Sequence, residues 1–264
     1  MAEILSPRPA ATVITLRDRD EGYEILMLRR NLQSDFVGGA YVFPGGGVDL
    51  ADAGPAAQRL ALGLNDVDAS ARLALESGGL AYYVACLREL FEEAGLLLAC
   101  DETGEPVLFN DEATIARMAA NRRDVNAGTL GFIDMMHREG LLLDLRGLEY
   151  VAHWVTPVGP PRRYDTRFFV ALAPEGQIAT HDAGETVADQ WIRPQNALDA
   201  HARGDLEMIF PTIRNLEAIA SFSTSREVLA YAKSLTNITR TEPRIVVRDD
   251  TFAILLPGDD GYED

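Results

Sequence analysis

Basic residues are scarce in this chain: 24 Lys and Arg stand against 41 Asp and Glu in 264 residues, a formal net charge of −17. That balance argues against binding long nucleic acid, which needs many Lys or Arg contacts to phosphate. It leaves room for a small anionic substrate, because a local cluster of Arg and metal ions holds a diphosphate within an unfavourable global field. Cysteine is nearly absent. Cys86 and Cys100 make neither a disulfide framework nor a zinc site, and both are expected as buried thiols. Long apolar runs are missing too. A stretch such as Gly95-Leu96-Leu97-Leu98-Ala99-Cys100 is far too short for a spanning helix, so no membrane partner is expected. No basic and then apolar leader opens the chain, and Gly261-Tyr262-Glu263-Asp264 is not a peroxisomal tripeptide; a cytoplasmic location is the expectation. Repeats and low-complexity linkers are also lacking, and residues 1–264 are expected to form one domain.

What the chain does have is a core-sized apolar content, 47%, and a concentration of acid at Arg88-Glu89-Leu90-Phe91-Glu92-Glu93-Ala94-Gly95-Leu96. In a helix Glu89, Glu92 and Glu93 stand at i, i+3 and i+4 and gather on one stripe, where like charges repel. A hard divalent cation with oxygen ligands converts that repulsion into coordination. On the other face Tyr83, Val84, Leu87, Leu90 and Phe91 suit a core, and Gly95 closes the helix at a position open to positive φ.

The string Arg-Glu-hydrophobic-any-Glu-Glu-any-Gly-hydrophobic resembles the signature of the Nudix hydrolases. In that family a Gly-Gly turn leads into the helix, and Phe43-Pro44-Gly45-Gly46-Gly47-Val48-Asp49 looks like that turn. Here the two halves are separated by about thirty extra residues, roughly 50 to 79. The Glu that the family places eight positions before the Arg is replaced by Leu80. Its family role is to orient the Arg, and Asp49 or Glu76 can substitute. A split of this kind is similar to the branch that includes the peroxisomal coenzyme A diphosphatases.

The remaining segments follow the same pattern. Residues 10–16 and 23–28 read as a hairpin, and Arg29 and Arg30 at its end can serve as anion contacts. A strand at Tyr41-Val42-Phe43 delivers the glycines, whose backbone can approach a ligand closely. The insertion reads as one or two short helices expected to roof the site. A further helical segment, about 111–140, opens with Asn110 or Asp111 as N-cap and carries core methionines. Tyr150 to Pro157 reads as a strand, followed by Arg162-Arg163-Tyr164-Asp165-Thr166-Arg167-Phe168-Phe169; this pair resembles a segment shared by the coenzyme A diphosphatase branch. Arg162, Arg163 and Arg167 suit an adenosine diphosphate with an additional phosphate; pairing with nearby acids is the other role open to them. Trp191-Ile192-Arg193-Pro194-Gln195-Asn196-Ala197-Leu198 looks like the common Nudix strand, turn and helix. An extension from about 205 to 264 adds helices at 210 and 225, a hairpin at 244–256 turning at Asp249-Asp250, and an acidic tail expected to fray.

The resemblance implies an α/β fold, the Nudix α/β/α sandwich around a mixed β-sheet, with helical insertions. It implies Mg²⁺ or Mn²⁺ held by Glu89, Glu92, Glu93 and the Gly45 carbonyl. The metal neutralises a diphosphate and lowers the pKa of a water that attacks phosphorus. Glu93 or Glu185 accepts the proton, with His181 a weaker competitor, and Arg88 steadies the carboxylates. Substrate contacts are expected from Arg30, Gly46, Arg162, Arg163 and Arg167. The implied substrate is coenzyme A or an acyl derivative, cut to 3′,5′-ADP and (acyl-)phosphopantetheine. Pyrophosphate hydrolysis of ADP-ribose, a dinucleotide or another nucleoside diphosphate derivative is the alternative within the class, and a non-catalytic nucleotide sensor the alternative outside it. The oligomeric state is open, a homodimer included.

Overall fold

The computed structural model describes residues 5–33, 38–182, 184–248 and 251–262. β1 (Arg8–Arg19) and β2 (Gly22–Arg30) form the hairpin read from the sequence, turning at Asp20-Glu21. β3 (Tyr41–Val42) pairs with β2, and β4 (Gly45–Gly47) pairs with the N-terminal half of β1. After an insertion and two helical segments, the chain returns through β8 (Glu149–Val155), β9 (Tyr164–Leu172) and β10 (Thr186–Ile192). The main sheet runs β10-β2-β1-β9-β8-β11, where β11 is Arg240–Thr241. The β1–β9 and β11–β8 pairs are parallel and the others antiparallel, so the sheet is mixed.

Strict alternation along the central strands builds two cores. Ala11 and Val13 of β1, Leu26 and Leu28 of β2 and Phe169 of β9 face one side; Ile14, Leu16, Ile25, Met27 and Phe168 face the other. Successive residues of a strand point to opposite faces, so a sheet buried on both sides needs apolar residues at both parities. On the first side packs α3 (Leu80–Ala94), with α4 (Glu112–Asn126) and α5 (Phe132–Glu139) beyond it. On the second lie α6 (Pro194–Ala202), α7 (Phe210–Ile219) and α8 (Ser225–Ser234). Helices on both faces of a mixed sheet make the expected α/β/α sandwich.

α3 forms where the periodicity places it. Tyr83, Val84, Leu87, Leu90 and Phe91 are all buried, and Gly95 caps the C-terminus at φ +70°, donating its N–H to the Phe91 carbonyl at 2.9 Å. Asp111 caps α4 by accepting from the Thr114 N–H, while Met118, Met135 and Met136 pack in the core. Cys86 and Cys100 are buried free thiols.

The structure departs from the sequence reading at the insertion and the tail, and adds a small second sheet to it. The insertion does form helices, α1 (Pro55–Leu60) and α2 (Asp66–Arg72), but they pack against α5 and α3 respectively, and residues 50–79 contribute nothing to the wall of the main cavity. It is a buttress, not a roof. The apolar run after α3 contains β6 (Ala99–Cys100), which joins β5 (Ala61–Leu62) and β7 (Leu142–Asp144) in a small second sheet. The tail is docked through Tyr262, whose hydroxyl donates to the Glu242 carbonyl at 2.7 Å and whose ring lies under Arg244. The C-terminal hairpin, β12 (Arg244–Arg248) with β13 (Thr251–Leu255), is present; the proposed turn at Asp249-Asp250 lies outside the described residues.

Candidate active site

Arg88 is the hub. Its Nε and Nη2 donate to Asp52 Oδ1 and Oδ2, both at 3.0 Å, a bidentate pairing. Nη1 reaches Glu89 at 2.7 Å and Glu92 at 3.1 Å, and Nη2 also donates to the Gly47 carbonyl at 2.7 Å. One guanidinium therefore ties the insertion, the glycine turn and two carboxylates of α3 together. The orienting acid is Asp52. Asp49 stays 3.9 Å from Arg88, and Glu76 is solvent-exposed with no part in the cluster. Asp52 has no exposed side-chain surface and is steadied by the Asp49 N–H at 2.8 Å. Burial opposes the charge on Arg88, but hydrogen bonds to Asp52 and the charges of Glu89, Asp52 and Glu92 raise its pKa still further above the ordinary value.

The glycine turn fits against the acids. Gly45 donates its N–H to Glu93 Oε2 at 3.0 Å. At Gly46 a Cβ would lie 2.5 Å from Glu89 Oε1, so only a residue without a side chain lets the strand approach the carboxylate. Burial pushes the Glu89 carboxyl up to about 7, opposed by Arg88 and reinforced by the charges of Glu92 and Glu185. Burial also raises Glu92, with Arg88 opposing. Glu93 is 6% exposed; burial and the charges of Glu89 and Glu185 hold its carboxyl well above the usual range, while the Gly45 hydrogen bond and Arg30 pull the other way.

Burial is the main cause that raises all three acids, and Glu89 and Glu92 line a cavity. Among the described residues no three acidic, His or Cys side chains converge as metal ligands, because Arg88 draws Glu89 and Glu92 to itself and Gly45 holds Glu93. The donor set nevertheless fits a hard divalent cation, since mutually repelling, partly buried carboxylates gain most from one. Of the residues expected as ligands, Glu89, Glu92 and Gly45 line the cavity and would face such a cation, whereas Glu93 does not line it.

The cavity has a volume of about 850 Å³. Of the residues singled out from sequence, Arg30, Gly45, Gly46, Glu89, Glu92, Arg162 and Glu185 line it. Glu93 sits behind the turn. Arg163 and Arg167 do not line it, a correction with a simple cause. Along β9 the cavity face carries Tyr164, Thr166 and Phe168, and period-2 alternation puts Arg167 on the opposite face. There Arg167 pairs with Asp165 at 3.0 Å and lies over the Tyr82 ring of α3. Arg163 is spent on the Thr156 and Leu5 carbonyls and on Glu242. His181 is paired with Asp189 at 2.8 Å, away from the cavity wall.

Two features went unread in the sequence. Asp52 carries no local mark beyond its place three residues after Asp49. Arg122 and Asn126 of α4 both donate to the Glu92 carbonyl, at 3.0 and 3.1 Å, and so anchor the end of α3 from a neighbouring helix.

A solved Nudix hydrolase from Alicyclobacillus acidocaldarius superposes with a TM-score of 0.71 at 27% identity, covering 85% of this chain and 96% of that one. The family described as the NUDT19 Nudix domain matches residues 53–219. The chain belongs to the Nudix hydrolases, within the NUDT19 Nudix domain family. Among its relatives, the acyl-coenzyme A diphosphatase NUDT19 of Gallus gallus is 30% identical, over 91% of this chain and 73% of the relative. The Homo sapiens protein of the same name is 27% identical, over 92% and 73%.

Proposed function

We propose that this chain hydrolyses the diphosphate of coenzyme A and acyl-coenzyme A, releasing 3′,5′-ADP and (acyl-)phosphopantetheine, with Mg²⁺ or Mn²⁺ as the cation and the cytoplasm as its location. The observation that carries this reading is the similarity to relatives named acyl-coenzyme A diphosphatase along nearly the whole chain, 26–30% identical over 91–92% of it. The intact acidic helix beside a large cavity supports turnover over mere binding, because a binder gains nothing from buried, repelling carboxylates.

The roles assigned to the side chains are supported by their placement. A divalent cation, when bound, supplies charge to neutralise the diphosphate and to acidify water. Glu89 and Glu92 face the cavity and would be its ligands. Glu93, held by the Gly45 N–H, either completes that set or accepts the proton of the attacking water. Glu185, on the cavity wall and within electrostatic range of Glu89 and Glu93, is the other candidate base. Arg88 keeps Glu89 and Glu92 in place, and Arg30 and Arg162 are the cavity-lining cations for phosphate.

The test is chromatographic product analysis with coenzyme A, acetyl-coenzyme A, ADP-ribose, NADH and diadenosine polyphosphates, each with Mg²⁺ and with Mn²⁺. Preferential release of 3′,5′-ADP is the expected outcome. Turnover of only the other substrates would discard the coenzyme A assignment.

A further inference from the structure

The cavity is longer than a diphosphate needs, and strand register shows in which direction it extends. Gly47 of β4 pairs with Ala10 of β1, Ala10 with Thr166 of β9, and Thr166 with Trp154 of β8. All four line the cavity. They form a transverse row across the sheet from the glycine turn to Trp154, three strand spacings or about 14 Å. The chemistry of the lining changes along this row. At the glycine turn stand Glu89 and Glu92 of α3; at the far end Trp154 packs edge-on against Phe210, ring centroids 5.8 Å apart, and Phe210 also lines the cavity.

The C-terminal hairpin contributes to the same wall: β11, whose Thr241 pairs with Trp154, leads through Pro243 into β12. Ile245 and Ile254 are cross-strand partners in β12–β13 and both line the cavity. Their exposure, 47% and 44%, would mean little for scattered surface residues. Here the two are paired on one face of a hairpin that bonds to no other strand among the described residues, and they face an open cavity continuous with the acidic site. A two-stranded hairpin is marginal alone; the chain entering it is held by the β11–β8 pairing and by the Arg163–Glu242 ion pair, and Tyr262 closes back on Arg244 and Glu242.

We propose that Trp154, Phe210, Ile245 and Ile254 form an apolar subsite that takes the acyl end of an acyl-pantetheine arm, with the two isoleucines setting acyl-chain preference. This rests on the coenzyme A reading above and extends it. A compact leaving group would stop short of Trp154, whereas a long thioester arm laid along the Gly47-Ala10-Thr166-Trp154 row delivers its chain to the hairpin.

The experiment compares KM and kcat for free coenzyme A and its acetyl, octanoyl and lauroyl thioesters in the wild type, in I245S/I254S and in I254W, with unfolding temperature as a control for folding. In the wild type KM is expected to fall about tenfold or more from acetyl to lauroyl, the discrimination that a few methylenes give in an apolar pocket. In I245S/I254S that gradient flattens to about twofold or less, because the serines remove the apolar wall. I254W instead raises KM for the lauroyl thioester above that for acetyl by filling the space. A flat wild-type series, or the same gradient in all three proteins, overturns the subsite while leaving coenzyme A hydrolysis standing. Failure of the wild type on every coenzyme A substrate overturns both readings.

Discussion

Asp52 grips Arg88 through two parallel hydrogen bonds of 3.0 Å from 36 residues upstream, across an insertion that separates the glycine turn from the acidic helix. Both side chains are buried. The insertion therefore leaves the turn and helix coupled and supplies the acid that couples them.

Removing that acid takes the bidentate partner from a buried guanidinium and leaves it the single contacts with Glu89 and Glu92. Asp52→Ala is expected to cost about 3–5 kcal/mol of stability, as breaking a buried pair does. Asp52→Asn, which keeps the shape, is expected to lower kcat about 10- to 100-fold, the usual cost of losing the partner that orients a ligand. Denaturant unfolding and steady-state kinetics check the two effects separately.

Glu92→Gln and Glu93→Gln test the chemistry. Each is expected to lower kcat by at least ~100-fold with little change in the unfolding midpoint. Full activity in both variants would remove α3 from the reaction.

Gly46→Ala puts a methyl group where only 2.5 Å separates it from Glu89 Oε1. Overpacking of this kind costs about 1–3 kcal/mol, and here the displaced atom is a carboxylate oxygen facing the cavity. Lower kcat and a lower unfolding temperature are expected together, with Gly47→Ala, whose Cβ meets nothing within 4 Å, as the comparison.

Cavity-facing and inward-facing arginines should separate in their effects. Arg162→Ala is expected to raise KM for a phosphate-rich substrate, whereas Arg167→Ala lowers the unfolding temperature by removing the contacts with Asp165 and Tyr82 and leaves KM in place. A rise in KM for Arg167→Ala equal to that for Arg162→Ala would contradict the placement.

The Asp165 carboxyl has a stability signature in acid. Burial raises its pKa, but the hydrogen bond and charge of His153 and the charges of Arg167 and Arg240 outweigh burial, and the net shift is downward. A depressed folded pKa means that this stabilisation is fully present above the unfolded value near 3.8 and is lost as pH falls through the folded one. Unfolding measured from pH 6 down to pH 2 is expected to show a shallower acid loss in Asp165→Asn than in the wild type, and a parallel loss in the two proteins would refute the coupling.

The elements whose forces are local were legible in the amino-acid order. α3 is set by apolar spacing and by Gly95 at φ +70°, the central strands by short β-prone apolar runs, and α4 by the Asp111 cap. The three acids of the Arg88 to Leu96 stretch, at helical spacing, were readable as a site for the same reason. The parity of β9 was also readable in principle, since alternation alone puts Tyr164, Thr166 and Phe168 on one face and Arg167 on the other. Tertiary structure alone decided which acid meets Arg88. Asp49, Asp52 and Glu76 are equivalent to any local rule, and the fold of the insertion against α3 and α5 brings only Asp52 into bidentate contact. It likewise decided that the insertion supports the site from behind, and that a hairpin about 200 residues from the glycine turn contributes to the wall of the same cavity. Such contacts depend on chain closure over long separations, which pattern and propensity do not encode.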